Sequence, residues 1–390
     1  MTRQEHLGEN IEAIYDALTD GRRRSLRVSE LVYAAADRFP GLVPTRTAID
    51  EERERLQKDK LGLEIDQGTF VAHVLAHPGT GAHLMHAMSQ PRHEAEALLD
   101  ELQRTDAVDL GPMRLDRDGK IGVISIQNHA FLNSEDDVST SALEVAVDLV
   151  LLDDSIDVGV LRGAPATHPK HAGRRIFGSG INLTHLYHGK IALVEFMIER
   201  ELGVVSKMYR GHDLGEPEGG VLEDRREKPW IAAVESFAIG GACQWLLVMD
   251  RVIAEQGSYF NLPARREGII PGCANLRLPR LVGDRIARQG ILFDRKFAAA
   301  SPEGRMICDE VVPPGQMDAA IEAAVGQLTG SGMVSAAGNR KAIRVGQEPI
   351  DTFRAYMATY AREQVLCQYS RALIRNLEAN WNAHQRRALA

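Results

Sequence analysis

The sequence predicts an α/β core preceded by a helical domain and followed by further helices, and three observations carry that reading. Apolar runs of strand length recur through the middle of the chain, at 121–126, 158–163, 231–234 and 258–262, with helix-length segments between them. Before about residue 110, Ile11, Ile14, Tyr15 and Leu18 fall at helical spacing, as do Leu31, Val32 and Ala35. Beyond Val312, Pro313 and Pro314 the pattern is helical to the end. The expected organisation is a helical domain over 1–110, a core over 111–325 and a C-terminal helical extension over 326–390.

Each element has a local reason. The stretch 50–60 is densely charged, a solvated face, and Ala95, Leu98, Leu99 and Leu102 mark a helix over 94–102. A composition shift at Leu110, Gly111 and Pro112 is the first boundary. Ile121, Val123, Ile124 and Ile126 form the first clear strand; a loop over 128–133 follows it, and acidic Glu135, Asp136 and Asp137 suit the start of a helix over 141–152. After the strand at 158–163 comes a polar loop, then a helix over 191–202, then a Gly-rich charged stretch, 211–227, expected to be an exposed excursion. Helices are expected at 317–328, 333–345 and 353–378.

Composition excludes several classes. A length of 390 residues exceeds the usual single domain, and 44% hydrophobic residues suffice for a globular core. A formal charge of −8 carries no electrostatic footprint for nucleic acid, so a polyanionic ligand must meet locally placed Arg and Lys. Cys243, Cys273, Cys308 and Cys367 lack C-x-x-C spacing and fit a reducing compartment. Residues 1–18 are polar and amphipathic, unlike a secretory signal, and no apolar window is long enough to span a bilayer; a cytoplasmic protein is expected.

Two glycine turns hold the candidate chemistry. In KPWIAAVESFAIGGACQ (228–244) a buried strand runs into Gly240-Gly241-Ala242 and then an apolar helix, a place where bare backbone N–H groups face a ligand. Upstream, Ile176-Phe177-Gly178-Ser179-Gly180-Ile181-Asn182 is a second apolar step into a small-residue turn, closed by the capping residue Asn182. Two such turns can converge on one oxygen atom.

FGSGINL (177–183) and KPWIAAVESFAIGGACQ resemble, in order and distance, the two oxyanion-loop motifs of the crotonase (enoyl-CoA hydratase/isomerase) superfamily. The stretch 259–278, with its Pro271-Gly272 turn, resembles the segment that follows them, so the match covers roughly 115–325. Within that superfamily the chain is most similar, over nearly its whole length, to the cofactor-independent (3,5-dihydroxyphenyl)acetyl-CoA 1,2-dioxygenases of glycopeptide-antibiotic biosynthesis, where the product leads to dihydroxyphenylglycine. FGSGINLTHLYHGKI (177–191), ESFAIGGACQW (235–245) and the helical extensions carry that likeness.

The resemblance implies a ββα spiral and an oxyanion hole made by the N–H groups of Ile181 and Gly241, with Gln244 at a catalytic position. It assigns Glu135 and Arg200 to the dihydroxyphenyl ring. Ser179, Gly180, Asn182, Leu183, Thr184 and Gly240 would flank the thioester, and His168 and His171 the nucleotide or pantetheine. It further implies an acyl-CoA substrate, O2 as co-substrate, no cofactor, and a homo-oligomer, a trimer or dimer of trimers. The departures from hydratases are as informative: Gln244 and Ala264 stand where hydratases carry two glutamates that move the protons of water. An amide does not titrate near neutral pH, so hydration by that route is not expected. A site that makes an enolate without delivering water fits an arylacetyl thioester whose carbanion reduces oxygen, and the pocket around Ala264 is expected to be apolar.

No metal is expected, because His83/His86, His168/His171 and His185/His188 share i,i+3 spacing without a cysteine partner or a carboxylate in ligand pattern. Gly178-Ser179-Gly180 lacks the third glycine of a dinucleotide fingerprint. The alternatives are another crotonase-type acyl-CoA isomerase or thioester hydrolase, and a non-catalytic coenzyme A sensor or RNA binder.

Overall fold

Trp230–Val234 is a five-residue strand with every residue buried, so both of its faces must be covered. It lies inside a seven-stranded sheet ordered Ala107–Asp109, Met113–Asp118, Ile121–Ile126, Val158–Gly163, Trp230–Val234, Arg251–Glu255 and Glu310–Val312. The first three strands are antiparallel and the rest add in parallel. The computed structural model describes residues 3–167, 169–215 and 224–386.

Four of the parallel strands are each followed by a step into a second layer, and this repeat positions the site. Ile121–Ile126 leads to Glu135, Val158–Gly163 to Gly178 and Ile181, Trp230–Val234 to Phe237–Ile239, and Arg251–Glu255 to Tyr259–Asn261. Neighbours in the first layer are neighbours in the second: Glu135 bridges Ile181, Gly178 bridges Ala238, and Ala238 pairs with Phe260, all in parallel. This is the α/β spiral expected from the resemblance.

Two apolar clusters cover the sheet, and a third lies apart from it. One holds Leu115, Ile124, Leu143, Val147 and Trp245 between the sheet and the helix Asp137–Leu152. That helix starts where it does because Asp136 accepts from the Ser139 N–H and Ser139 bonds back, a reciprocal cap. The opposite face packs Val160, Ile231 and Ile253 on the helix Met317–Thr329. The third cluster lies beyond the spiral, where Glu64–Ala76 lies along Ile350–Gln368 and both meet the helical stretch 193–210. Gly68 permits that approach, since a Cβ there would stand 2.9 Å from Val365 Cγ1 and 3.1 Å from the Ala361 carbonyl oxygen.

Four expectations are corrected. Met113–Asp118 is a strand, in which Arg114 and Asp116 alternate with buried Met113 and Leu115. The shift at 110–112 lies in the turn of a hairpin, and the helix His93–Thr105 before it buries Ala95 and Leu102 in the sheet's own core. The helix expected over 353–378 is two, Ile350–Gln368 and Arg371–Trp381, because the Ser370 side chain accepts from the Leu373 N–H and caps a new start. The stretch 211–227 is not an exposed excursion at its described ends: His212 is buried on Asp148 at 2.8 Å, and Glu227 is buried under Arg340 and Arg344.

Candidate active site

The two glycine turns meet. Gly180 (φ +83°) and Gly240 (φ +57°) adopt backbone that side chains disfavour, and they touch: a Cβ on Gly180 would lie 3.2 Å from the Gly240 Cα. Bridging to Glu135 uses the Gly180 carbonyl and the Asn182 N–H, each at 2.7 Å, so the Ile181 N–H between them points the other way. Gly241 opens the helix Gly241–Leu246, whose first N–H groups lack intrahelical partners. Among the described residues, neither the Ile181 nor the Gly241 N–H donates to a backbone acceptor, and both residues line one cavity.

Opposite them, the helical stretch 193–210 is wound with wide i→i+5 turns over Leu193–Ile198 and Glu201–Val205, and Arg200 sits between the two. The Arg200 guanidinium is buried and donates to four acceptors: Glu135 Oε2 at 2.5 Å, Gln244 Oε1 at 3.0 Å, the Gly241 carbonyl at 2.9 Å, and Glu201. Burial opposes its charge, but Glu135 and Glu201 outweigh burial and raise its pKa. Burial pushes the Glu135 carboxyl up; Arg200 pulls against it, and Glu201 and Asp136 add to the rise. Glu135 Oε1 is buried and has no hydrogen-bond partner among the described residues.

Ile181, Gly240, Gly241, Gln244, Glu135 and Arg200 are thus brought together on the cavity. Phe196, Met197, Ile269, Ile270 and Tyr360 supply apolar wall. Other residues singled out in the sequence serve the turns instead. Asn182 accepts from the His185 N–H and caps the helix Leu183–Tyr187, in which Leu183 and Thr184 lie, and Ser179 donates to the Phe131 carbonyl at 3.3 Å. His171 packs edge-on against Phe237 outside the cavity, and His168 lies outside the described residues. Among the described residues no group of three His, Cys, Asp or Glu side chains is placed to hold a metal, and no helix is long and apolar enough to cross a membrane.

The surroundings of Ala264 are not apolar as expected. Glu267 and Glu201 line the same cavity, and the Pro271-Gly272 turn presses on it, since a Cβ on Gly272 would stand 2.3 Å from Gln244 Oε1 and 2.4 Å from Glu201 Oε1. Sequence reading missed both acids. Glu267 was open to discovery by spacing, one helical turn beyond Ala264; Glu201 joins the site only through the wide turns around Arg200.

The family model described as enoyl-CoA hydratase/isomerase matches residues 224–365. The chain is 46% identical over 372 residues to a protein of Amycolatopsis orientalis named (3,5-dihydroxyphenyl)acetyl-CoA 1,2-dioxygenase, covering 95% of this chain and 84% of that one. A short-chain-enoyl-CoA hydratase of Clostridium acetobutylicum is 25% identical over 252 residues, 64% of this chain and 87% of its own. Among solved structures, an enoyl-CoA hydratase from Mycobacterium avium subsp. paratuberculosis aligns with a TM-score of 0.57 at 18% identity, over 70% of this chain and all of that one, a likeness of fold.

Proposed function

Because the chain belongs to the crotonase (enoyl-CoA hydratase/isomerase) superfamily, we propose that it is a dioxygenase that converts (3,5-dihydroxyphenyl)acetyl-CoA and O2 into (3,5-dihydroxyphenyl)glyoxylate and coenzyme A. The observation that carries this reading is the pairing of two unoccupied amides, Ile181 and Gly241, with Gln244 and Ala264 at the positions where hydratases carry carboxylates. Such amides stabilise negative charge on a thioester oxygen, each worth about 3 kcal/mol in a dry site. The buried, unpartnered Glu135 Oε1 supports the ring assignment, because a buried acceptor left without a donor is costly and a phenolic O–H supplies one.

In this reading the α C–H bond breaks, and its electron pair moves onto the thioester oxygen held by the two amides. The enolate gives one electron to O2, and the two radicals combine at Cα as a peroxide. The peroxide oxygen attacks the thioester carbonyl and expels the thiolate of coenzyme A. Cleavage of the O–O bond with loss of the remaining α-proton leaves the α-keto carboxylate, with one atom of O2 in the ketone and one in the carboxylate. The reaction draws its electrons from the substrate and needs neither metal nor flavin. The same reading makes the protein a cytoplasmic homo-oligomer, a trimer or dimer of trimers, serving antibiotic biosynthesis.

An oxygen electrode with simultaneous thiol detection tests it. One O2 consumed per coenzyme A released, with both labelled atoms recovered in the glyoxylate, is the expected result. Release of coenzyme A without oxygen uptake would make the protein a thioester hydrolase.

A further inference from the structure

We propose that Glu267 is the catalytic base that removes the α-proton of the thioester. The inference rests on the dioxygenase reading, which requires a proton acceptor beside the oxyanion hole and leaves it unnamed. Neither hydratase position can serve, since Gln244 is an amide and Ala264 has no functional group. The short helix Ala264–Glu267 sets residues 264 and 267 on one face, so a carboxylate missing at the first is returned one turn later, from the same wall. Gly268 ends that turn at φ +103°, where a Cβ would stand 3.0 Å from the Leu373 Cα, so the turn is clamped against the helix Arg371–Trp381.

The other acids of the cavity are committed. Glu135 is bonded to Arg200, and Glu201 to Arg200 and to the Cys273 N–H at 3.2 Å. The carboxylate of half-buried Glu267 has no hydrogen bond or ion pair among the described residues, and it shares the cavity with Ile181, Gly241 and Gln244. No histidine or lysine is among the described residues that line it. Withdrawal from water pushes the Glu267 carboxyl up to about 7; Asp294, after the helix Asp284–Phe293, adds to the rise and Arg266 on its own turn opposes it. Across the cavity stand Glu135, Arg200, Glu201 and Tyr360. A base that titrates near neutrality is suited to proton transfer at that pH. The proton moves from Cα to the Glu267 carboxylate as the C–H electron pair enters the enolate.

Anaerobic incubation with arylacetyl-CoA in deuterated water isolates this step, because α-hydrogen exchange followed by NMR needs no oxygen. The wild type should exchange. Glu267→Gln, close to isosteric, should exchange and consume oxygen at least ~100-fold more slowly, with KM changed less than about twofold and an unchanged melting temperature. Glu267→Asp should retain intermediate activity. In the wild type, kcat/KM should rise through about pH 7 as the carboxyl ionises, and that limb should vanish in Glu267→Gln. Wild-type exchange in Glu267→Gln, or a limb that persists, would overturn the assignment. A wild type that exchanges but takes up no oxygen would refute the dioxygenase reading while the variant still decides the base; a wild type that does neither overturns both.

Discussion

Replacing Arg200 with methionine removes the one cation on which the polar side of the cavity depends. The Glu135 carboxylate loses its only hydrogen-bond partner among the described residues, because Oε2 bonds to Arg200 alone and Oε1 has none. Glu201 keeps the Cys273 N–H, while Gln244 and the Gly241 carbonyl each lose a donor. Breaking a buried pair by deleting one partner costs about 3–5 kcal/mol, because the surviving charge is stranded away from water. Urea unfolding of Arg200→Met should therefore show a stability loss of about that size, together with loss of oxygen uptake. The sign of its pH dependence is also fixed. Stranded carboxyls hold protons in the folded state above their ordinary pKa of about 4.3, so the folded protein binds more protons than the unfolded one and stability falls as pH rises. Adding Glu135→Gln should recover part of the loss, since the stranded charge is gone. A loss below about 1 kcal/mol, or a double variant no more stable than the single one, would refute the description of this pair as buried and mutually dependent.

Ile181→Pro, which deletes an N–H assigned to the enolate oxygen, should lower kcat at least ~100-fold, whereas Ile181→Ala keeps the donor and should stay within a few-fold of wild type in oxygen uptake. Glu135→Gln should raise KM for the dihydroxyphenyl substrate by roughly 10-fold or more, the worth of one hydrogen bond to a charged group, and leave KM for unsubstituted phenylacetyl-CoA nearly unchanged. Acid should unfold the protein through two buried carboxylates. Burial opposes their ionisation, but Lys207 and Arg27 at Glu144, and Arg277 and Arg210 at Glu348, hold each down at about 2. Their contribution is complete above the ordinary pKa of about 4.3 and is lost as pH falls toward 2, so the urea midpoint should drop across that window and drop less in Glu348→Gln. A midpoint constant with pH would contradict the ion-pair assignment.

The glycine turns were legible because their chemistry is local: Gly180 and Gly240 must tolerate positive φ, and Asn182 must cap a helix, whatever surrounds them. The helices before residue 105 were legible because their apolar faces repeat at helical spacing. The strand Met113–Asp118 was hidden by Arg114 and Asp116, which face outward, and by Arg117, which follows the two buried residues that carry its alternation. The buried network of Glu144, Lys207, Asp148, His212 and Arg27 was invisible for a different reason. Each residue reads singly as a surface charge, and only the fold joins Arg27 to Glu144 at 2.8 Å and Lys207 to Asp148 at 2.8 Å. Glu201 belongs to the same class, since only the wide turns around Arg200 bring it to the cavity, whereas Glu267 lay one helical turn beyond Ala264.

The contact between Glu64–Ala76 and Ile350–Gln368 also sets an order of events during synthesis. The Arg354 guanidinium donates to the Leu75 carbonyl across 279 residues of chain, and the Gln57 amide to the Gln368 carbonyl across 311. At ribosomal speeds of about 5–20 residues per second, the first of these partners emerges roughly 14–56 s after Leu75. Through that interval the helix Glu64–Ala76, whose Phe70, Val71, Val74 and Leu75 are fully buried in the finished protein, can rest on the helices before residue 90 and on 193–198, but its long contact with Ile350–Gln368 is unmade. The nascent chain thus carries one uncovered side of that helix until Ile350–Gln368 is made, and the yield of folded protein depends on how well that side is shielded while it waits.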